Sequence, residues 1–146
     1  MALHRTDFEI NASDAEVWAV LADLDRYPEW NPALPAISGE LRAGSVLSMT
    51  LALPGRPPLN VKANVLEVVP NRRLSWRGHL GTDLLFTGYR EFAIEPVAAD
   101  RVRFTHIEDL RGWLAPVFEL VMGGPVQRHH ENLNESLKNR AEAKAR

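Results

Sequence analysis

Arg90, His106 and Glu108 are the three side chains whose chemistry and spacing most suggest a shared site. An arginine can stabilise a developing oxyanion, and a histidine beside a carboxylate can act as a general base. His106 and Glu108 are two residues apart in a stretch of alternating pattern, so they share one face of a predicted strand. The trio could hold a polar group of a small molecule or move a proton on it.

Strand alternation predicts that this trio faces the protein interior. Counting back by twos from Phe92 places Arg90 on the apolar face of its strand. Counting forward from Phe104 places His106 and Glu108 on the apolar face of the next strand. Because buried charge is costly unless it is paired, we expect Arg90 and Glu108 to compensate each other, with His106 hydrogen-bonded to one of them or to a ligand. A bulge that shifted a strand by one residue would instead leave the trio on a solvated rim.

Two roles fit an inward-facing trio. It could anchor a carbonyl, hydroxyl or carboxylate of an otherwise apolar ligand. Alternatively, His106 could serve as a base oriented by Glu108, with Arg90 stabilising an enolate oxygen, as aldol-type cyclisation or dehydration requires. No motif in the sequence is diagnostic of turnover, so binding is the simpler interpretation.

Other candidate ligand contacts lie on predicted inner faces or on the terminal helix. Aromatic residues and a histidine on an apolar helix face also fill cores, so each has a structural interpretation beside the functional one. Methionine supplies the deformable lining that adaptable pockets use. The predicted contacts beyond the trio are Trp30, Met49, Leu51, Trp76, Phe86, Phe118, Met122 and His130.

Several other kinds of site are not expected. The chain has no cysteine, and His79, His106 and His130 fall on three separate elements without a metal-binding spacing. Neither a dinucleotide or phosphate-binding glycine motif nor a G-x-S-x-G elbow is present. We therefore predict no metal and no cofactor.

Length and composition bound the class of protein. The 146 residues, 45% hydrophobic and 25% charged, predict a single domain over residues 1–146. A formal net charge of −2 argues against binding to nucleic acid, and no apolar run reaches signal-peptide or membrane-span length. We expect a cytoplasmic monomer or homodimer with no integral membrane association.

Before the strands that carry the trio, the sequence predicts one strand and two helical segments. Residues 3–10 alternate as a strand does. Ser13 and Glu16 form an S-x-x-E capping box, which predicts a helix over residues 15–24. Three prolines between residues 25 and 35 then favour a short second helix or packed turn.

The rest of the chain predicts an antiparallel meander followed by a long helix. The predicted strands are residues 46–53, 59–69, 73–79, 84–95 and 101–110. After Gly112 the pattern becomes helical, interrupted at Gly123, Gly124 and Pro125. A sheet of six or seven strands must curl around this terminal helix of about 18 residues, and such a topology tends to leave an internal cavity.

The element order and several segments resemble a known superfamily. These segments are VWAVLADLD (17–25), DRYPEWNP (25–32), LSW (74–76), RFTHIE (103–108) and NESLK (134–138). They resemble the START-related helix-grip (SRPBCC) superfamily, in its polyketide cyclase/dehydrase-like branch. The resemblance implies an α+β helix-grip fold, with a curved antiparallel sheet wrapped around a long C-terminal helix and two short helices after the first strand.

Three functions remain open on this scaffold, because one fold hosts carriers, enzymes and regulators. The first is binding, for carriage or sequestration, of a hydrophobic small molecule such as a lipid, polyketide or isoprenoid. The alternative is a polyketide cyclase or dehydratase that uses the His, Glu and Arg pocket. A third is an interaction domain with a collapsed cavity.

Overall fold

The computed structural model describes residues 2–31, 34–52, 57–79 and 85–145, with only the backbone given for residue 2 and residues 118–129. The strands in these ranges are β1 (Ala2–Ile10), β2 (Ala36–Ser38), β3 (Val46–Leu51), β4 (Leu59–Val69), β5 (Arg73–His79), β6 (Thr87–Ala98) and β7 (Arg101–Arg111). The helices are α1 (Asp14–Ala22), α2 (Tyr27–Trp30) and α3 (Ala115–Ala145), with a 3₁₀ turn at Leu24–Arg26 between the first two.

The described strands form one antiparallel sheet in the order β1-β7-β6-β5-β4-β3-β2. Strands β2 to β7 follow one another as a meander, and β1 pairs with β7, so the first and last strands are neighbours. The predicted α+β helix-grip fold is confirmed. This pairing brings β1, β6 and β7 side by side beneath α3.

The capping box predicted before α1 is present. The Ser13 hydroxyl accepts a hydrogen bond from the Glu16 backbone N–H at 3.2 Å, and the Glu16 carboxylate accepts one from the Ser13 N–H at 3.0 Å. Two backbone donors of the first turn are thereby satisfied. The helix then buries Val17, Val20 and Leu21 against the sheet.

Replacing Ser13 with alanine should lower the free energy of unfolding by about 1 kcal/mol, because it leaves a helix N–H without its acceptor. Chemical denaturation followed by circular dichroism measures the change. Ser13→Gly should cost only a few tenths of that amount, and Ser38→Ala, at an exposed position of β2, should be nearly neutral. Equal effects at Ser13 and Ser38 would contradict the role of the cap.

Helix α3 differs from its prediction in length and continuity. It has 31 residues, and its backbone is helical through residues 123–125, so the predicted interruption is wrong. A proline lacks the N–H that a helix interior uses, and the residues on both sides of Pro125 nevertheless have helical backbone. Leu133, Leu137 and Ala141, spaced four apart, are buried and anchor its C-terminal half. In the described part of the chain, no helix combines the length and apolar character that a membrane crossing demands.

The observed strands differ from the predicted ones in places where the local sequence pattern is weak. Strand β2 was not predicted, since three residues between Pro35 and Gly39 are too few for a visible alternation. Strand β6 extends to Ala98, beyond the predicted end at residue 95, because a register shift after Pro96 lets the ladder continue. Its predicted first residue, 84, lies outside the described residues.

The core lies between one face of the sheet and the helices. Alternate residues of the strands point to it, and α1 and the second half of α3 cover them. Its principal strand members are Ile10, Leu47, Met49, Ala63, Val65, Leu74, Trp76, Phe92, Ile94, Val102 and Phe104. On β6 and β7 the polar trio continues this inward-facing series.

Candidate functional site

Arg90 and Glu108 face each other across two adjacent strands. They are register partners in the β6–β7 ladder, which runs without a shift from Thr87 to Pro96. The Arg90 guanidinium donates to the Glu108 carboxylate over 2.7 Å, and the side chains are only 22% and 13% exposed. The expected compensation of these charges is therefore present, and this part of the ladder has no bulge that would turn them outward.

The environment keeps Glu108 ionised. Burial alone would raise the pKa of Glu108, but the Arg90 charge and the neighbouring His130 outweigh burial and hold this pKa well below its ordinary range. Glu108 is therefore a carboxylate at neutral pH and a poor candidate for proton transfer. Its role is to balance Arg90 in a largely apolar interior.

His106 is fully buried on β7, and α3 orients it. Its Nδ1 lies 2.8 Å from Oδ1 of Asn134. Because an amide oxygen can only accept, Nδ1 carries the ring proton and donates it, which leaves Nε2 with a lone pair. We expected Arg90 or Glu108 as the protein partner. Asn134 takes that place because side chains two residues apart on a strand stand parallel, about 7 Å apart along the backbone.

The surroundings of His106 disfavour its protonation. Burial, reinforced by the nearby Arg90 charge, holds the pKa of His106 well below its ordinary value. The ring is therefore neutral at pH 7 and can accept a hydrogen bond. A general base works best when its pKa lies near the working pH, so this environment suits binding better than proton abstraction.

His130 joins the cluster from α3. Its ring stacks on that of His106, with centroids 3.9 Å apart and planes within 1° of parallel. Its Nε2 lies 2.7 Å from the Thr6 hydroxyl on β1, and its Nδ1 lies 3.8 Å from the Glu108 carboxylate. The carboxylate favours a proton on Nδ1, so the Thr6 hydroxyl donates to Nε2. The cluster thus ties β1, β6, β7 and α3 together.

Aromatic rings extend from the polar cluster into the apolar interior. Trp76 meets Phe92 edge-on, with centroids 5.8 Å apart, and Phe92 stacks on His106 at 4.8 Å. Both Trp76 and Phe92 are buried. A polar group therefore sits at one end of a continuous aromatic surface.

The other predicted ligand contacts are distributed over the fold. Trp30 is buried on α2, and Met49 is buried on β3. Leu51 and Phe86 are half-buried. The side chains of two further predicted contacts lie outside the described residues, namely Phe118 and Met122.

Sequence reasoning missed two members of the cluster, Asn134 and Thr6. Both had a signal. Thr6 precedes Phe8 by two residues on β1, so alternation points it inward, and Asn134 lies one helical turn after His130. What those side chains contact depends on where α3 crosses the sheet, which is a long-range property.

Several buried polar atoms lack a hydrogen-bond partner among the described residues. In the cluster these are Nε2 of His106, Nδ1 of His130 and Nδ2 of Asn134, and α2 and its end add Nε1 of Trp30 and Nδ2 of Asn31. A buried polar group left unpaired costs about 1–3 kcal/mol. Such groups within an apolar interior are the feature by which binding sites fix the orientation of a ligand.

The cluster also resembles a metal site in composition but not in geometry. Ligand atoms of His106, Glu108 and His130 lie within 4.8 Å of one another. However, imidazole lone pairs lie in the ring plane, so two parallel stacked rings cannot aim both at one ion. The Glu108 carboxylate is also engaged by Arg90. This arrangement gives no reason to propose a metal.

Residues 1–142 match the family described as polyketide cyclase/dehydrase and lipid transport. The chain belongs to this family. The resemblance to the START-related helix-grip superfamily is thereby confirmed. A comparison with curated proteins finds no match.

Solved structures of several other proteins share this fold. A START superfamily protein from Mycobacterium smegmatis is 20% identical, with a TM-score of 0.74 and coverage of 97% of this chain and 98% of that one. The Zhui aromatase/cyclase from Streptomyces sp. R1128 is 17% identical, with a TM-score of 0.77 and coverage of 99% and 96%. Norcoclaurine synthase from Thalictrum flavum is 18% identical, with a TM-score of 0.66 and coverage of 94% and 84%.

Membership in the polyketide cyclase/dehydrase and lipid transport family supports small-molecule binding or cyclase activity in general. At these identities the solved structures establish the fold alone. The choice between the two functions therefore depends on the chemistry of the cluster.

Proposed function

We propose that this family member binds a hydrophobic small molecule between the sheet and α3, for carriage or sequestration. The observation that carries the proposal is His106, a buried neutral ring whose Nε2 has no partner among the described residues and whose face lies against Phe92. An apolar surface with a few oriented polar groups is the usual design of a small-molecule site.

The proposed site combines a polar end with an apolar wall. The ion pair and the two histidines form the polar end, while Trp76 and Phe92 begin the wall. Aromatic faces bury large apolar areas, which supplies affinity without demanding a particular ligand shape. The proposed ligand contacts are Trp30, Met49, Leu51, Trp76, Phe86, Arg90, His106, Glu108, Phe118, Met122 and His130.

A cyclase or dehydratase is the alternative, and the likeness to the Zhui aromatase/cyclase favours it. It requires His106 to take a proton and Arg90 to stabilise an oxyanion. Burial and the Arg90 charge lower the pKa of His106, and Glu108 already balances the Arg90 charge. The low pKa makes His106 a weak base, and the neutralised Arg90 is a weak partner for an oxyanion. Catalysis needs both of these abilities, whereas binding needs neither. The norcoclaurine synthase structure, in complex with dopamine and hydroxybenzaldehyde, shows small ligands held on a related fold.

Freshly purified protein should carry a bound small molecule. Native mass spectrometry should show a population heavier than the polypeptide, and the added mass should disappear under denaturing conditions. Protein that repeatedly has the bare polypeptide mass, and that also binds no added naphthalene, would contradict the proposal.

Replacing Trp76 with leucine should weaken naphthalene binding about tenfold, because it removes an aromatic wall. Fluorescence titration measures the dissociation constant, and circular dichroism verifies folding. Trp113→Leu is the matched control, since Trp113 is 83% exposed and lies outside the proposed site. Equal affinities of the two variants for naphthalene would show that Trp76 does not contact the ligand.

A further inference from the structure

We infer that the polar group of the ligand is a neutral hydroxyl that donates its proton to Nε2 of His106, and that a carboxylate is rejected at this position. The inference rests on the proposed binding function and specifies the chemistry of its ligand. Residue types alone would allow the site to bind a carbonyl, a hydroxyl or a carboxylate of the ligand. The inference selects the hydroxyl.

The direction of the hydrogen bond follows from Asn134. Oδ1 of Asn134 accepts from Nδ1 of His106 at 2.8 Å, which assigns the proton of the neutral ring to Nδ1. Nε2 is then an acceptor, buried and without a partner among the described residues. Only a group that offers a proton can satisfy it, and a neutral hydroxyl on an apolar body does so with the least desolvation.

His130 does not compete for this role. Its Nε2 is hydrogen-bonded to Thr6, and its Nδ1 faces the Glu108 carboxylate. The parallel stack, with ring centroids 3.9 Å apart, also covers one face of His106 and restricts its rotation. Nδ1 of His130 also lacks a hydrogen-bond partner among the described residues, but it carries a proton beside the Glu108 carboxylate and cannot accept from a hydroxyl. Nε2 of His106 is therefore the unpaired acceptor nitrogen of the two rings.

A carboxylate is disfavoured by the charges already present. Arg90, whose charge acts on His106, donates to Glu108 at 2.7 Å, so the pair has no net charge. A ligand carboxylate would add a second negative charge beside Glu108 and would turn its lone pairs towards that of Nε2. Like charges at short range in a poorly solvated interior are strongly unfavourable. The low pKa of His106 removes the further option of protonating the ring to meet the anion.

A matched series of ligands tests the inference on the unmodified protein. The series is naphthalene, 2-naphthol, 2-methoxynaphthalene and 2-naphthoate, which share one ring system and differ in the polar group. At pH 7.5 we expect 2-naphthol to bind about tenfold more tightly than 2-methoxynaphthalene, which lacks the donor, and 2-naphthoate to bind more weakly than naphthalene. Isothermal titration calorimetry measures each dissociation constant.

Variants assign the preference to one atom. In His106→Phe the stacked ring remains but the acceptor is lost, so 2-naphthol and 2-methoxynaphthalene should bind equally, whatever the affinity of the variant for naphthalene. His79→Phe is the matched control, because His79 is hydrogen-bonded to Asn64 on β4 away from the cluster, and it should retain the preference. The ¹⁵N chemical shifts of unliganded protein should show His106 protonated on Nδ1 and bare on Nε2, a measurement that needs no variant.

The outcomes separate this inference from the function on which it rests. Equal binding of all four ligands, tightest binding of 2-naphthoate, or a proton on Nε2 would overturn the hydroxyl assignment and leave ligand binding intact. Binding of none of the four would overturn the hydroxyl assignment, and it would overturn the binding function as well when the protein also purifies at the bare polypeptide mass. A tenfold 2-naphthol preference that survives in His106→Phe would place the hydroxyl elsewhere and also overturn the assignment.

Discussion

Replacing Arg90 with methionine should lower the free energy of unfolding by about 3 kcal/mol, the cost of leaving one partner of a buried ion pair alone. The Glu108 carboxylate would remain mostly buried, without the guanidinium that now lies 2.7 Å away. Burial would then be opposed by the neighbouring His130 without the Arg90 charge, so the pKa of Glu108 should rise, and the stability that its low pKa now contributes above about pH 4.5 should be reduced. Urea denaturation at pH 7 measures the loss, and a pH series measures its dependence on the ionisation of Glu108.

Removing both charges distinguishes the net contribution of the ion pair to stability from the cost of burying the unpaired Glu108 carboxylate. Arg90→Met combined with Glu108→Leu should recover most of the loss, because apolar side chains of similar volume suit this interior. Arg101→Met is the surface control, since Arg101 and Glu9 are about half exposed and 4.0 Å apart, and it should change stability little. A double variant less stable than either single variant would show that the pair contributes more than mutual neutralisation.

The unmodified protein should lose stability as the pH falls from about 7 towards 5. His106 is neutral in the folded state because burial and Arg90 lower its pKa, whereas in the unfolded chain it titrates near 6.5. Below pH 6.5 the unfolded state therefore binds more protons than the folded state, and acid favours unfolding. One such group gives a slope of at most about 1.4 kcal/mol per pH unit. Glu108, whose pKa is also lowered on folding, adds a second loss below about pH 4.5.

The slope of the free energy of unfolding against pH tests whether His106 causes the loss of stability, because the absolute stability also depends on packing. Among the described side chains, the other charged and titratable groups at the cluster are Arg90, Glu108, His130 and His4, whose ring centroid lies 6.0 Å from that of His130. His106→Gln should flatten the dependence between pH 7 and 5 whatever its effect at pH 7. Ile10→Val lowers stability at a buried position of β1 without removing a titratable group, so it should retain the full slope. An unchanged slope in His106→Gln would refute the assignment.

The sequence by itself determined the elements and the face on which each strand residue lies. The capping box of Ser13 and Glu16 and the alternation on β6 and β7 depend on neighbours within a few residues, so they can be read directly from the chain. The pairing of Arg90 with Glu108 followed, because adjacent antiparallel strands bring inward residues opposite each other. Short-range signals failed at three-residue β2 and at the proline within α3, where the surrounding structure outweighs a local preference.

Only the tertiary structure decided which side chain orients His106. Asn134 and Thr6 reach the two histidines from elements 28 and 124 residues away along the chain. No local pattern encodes the position at which α3 crosses β7 and β1, because it is set by how the whole core packs. That crossing determines the proton position on His106, and with it the prediction that the site accepts a hydroxyl.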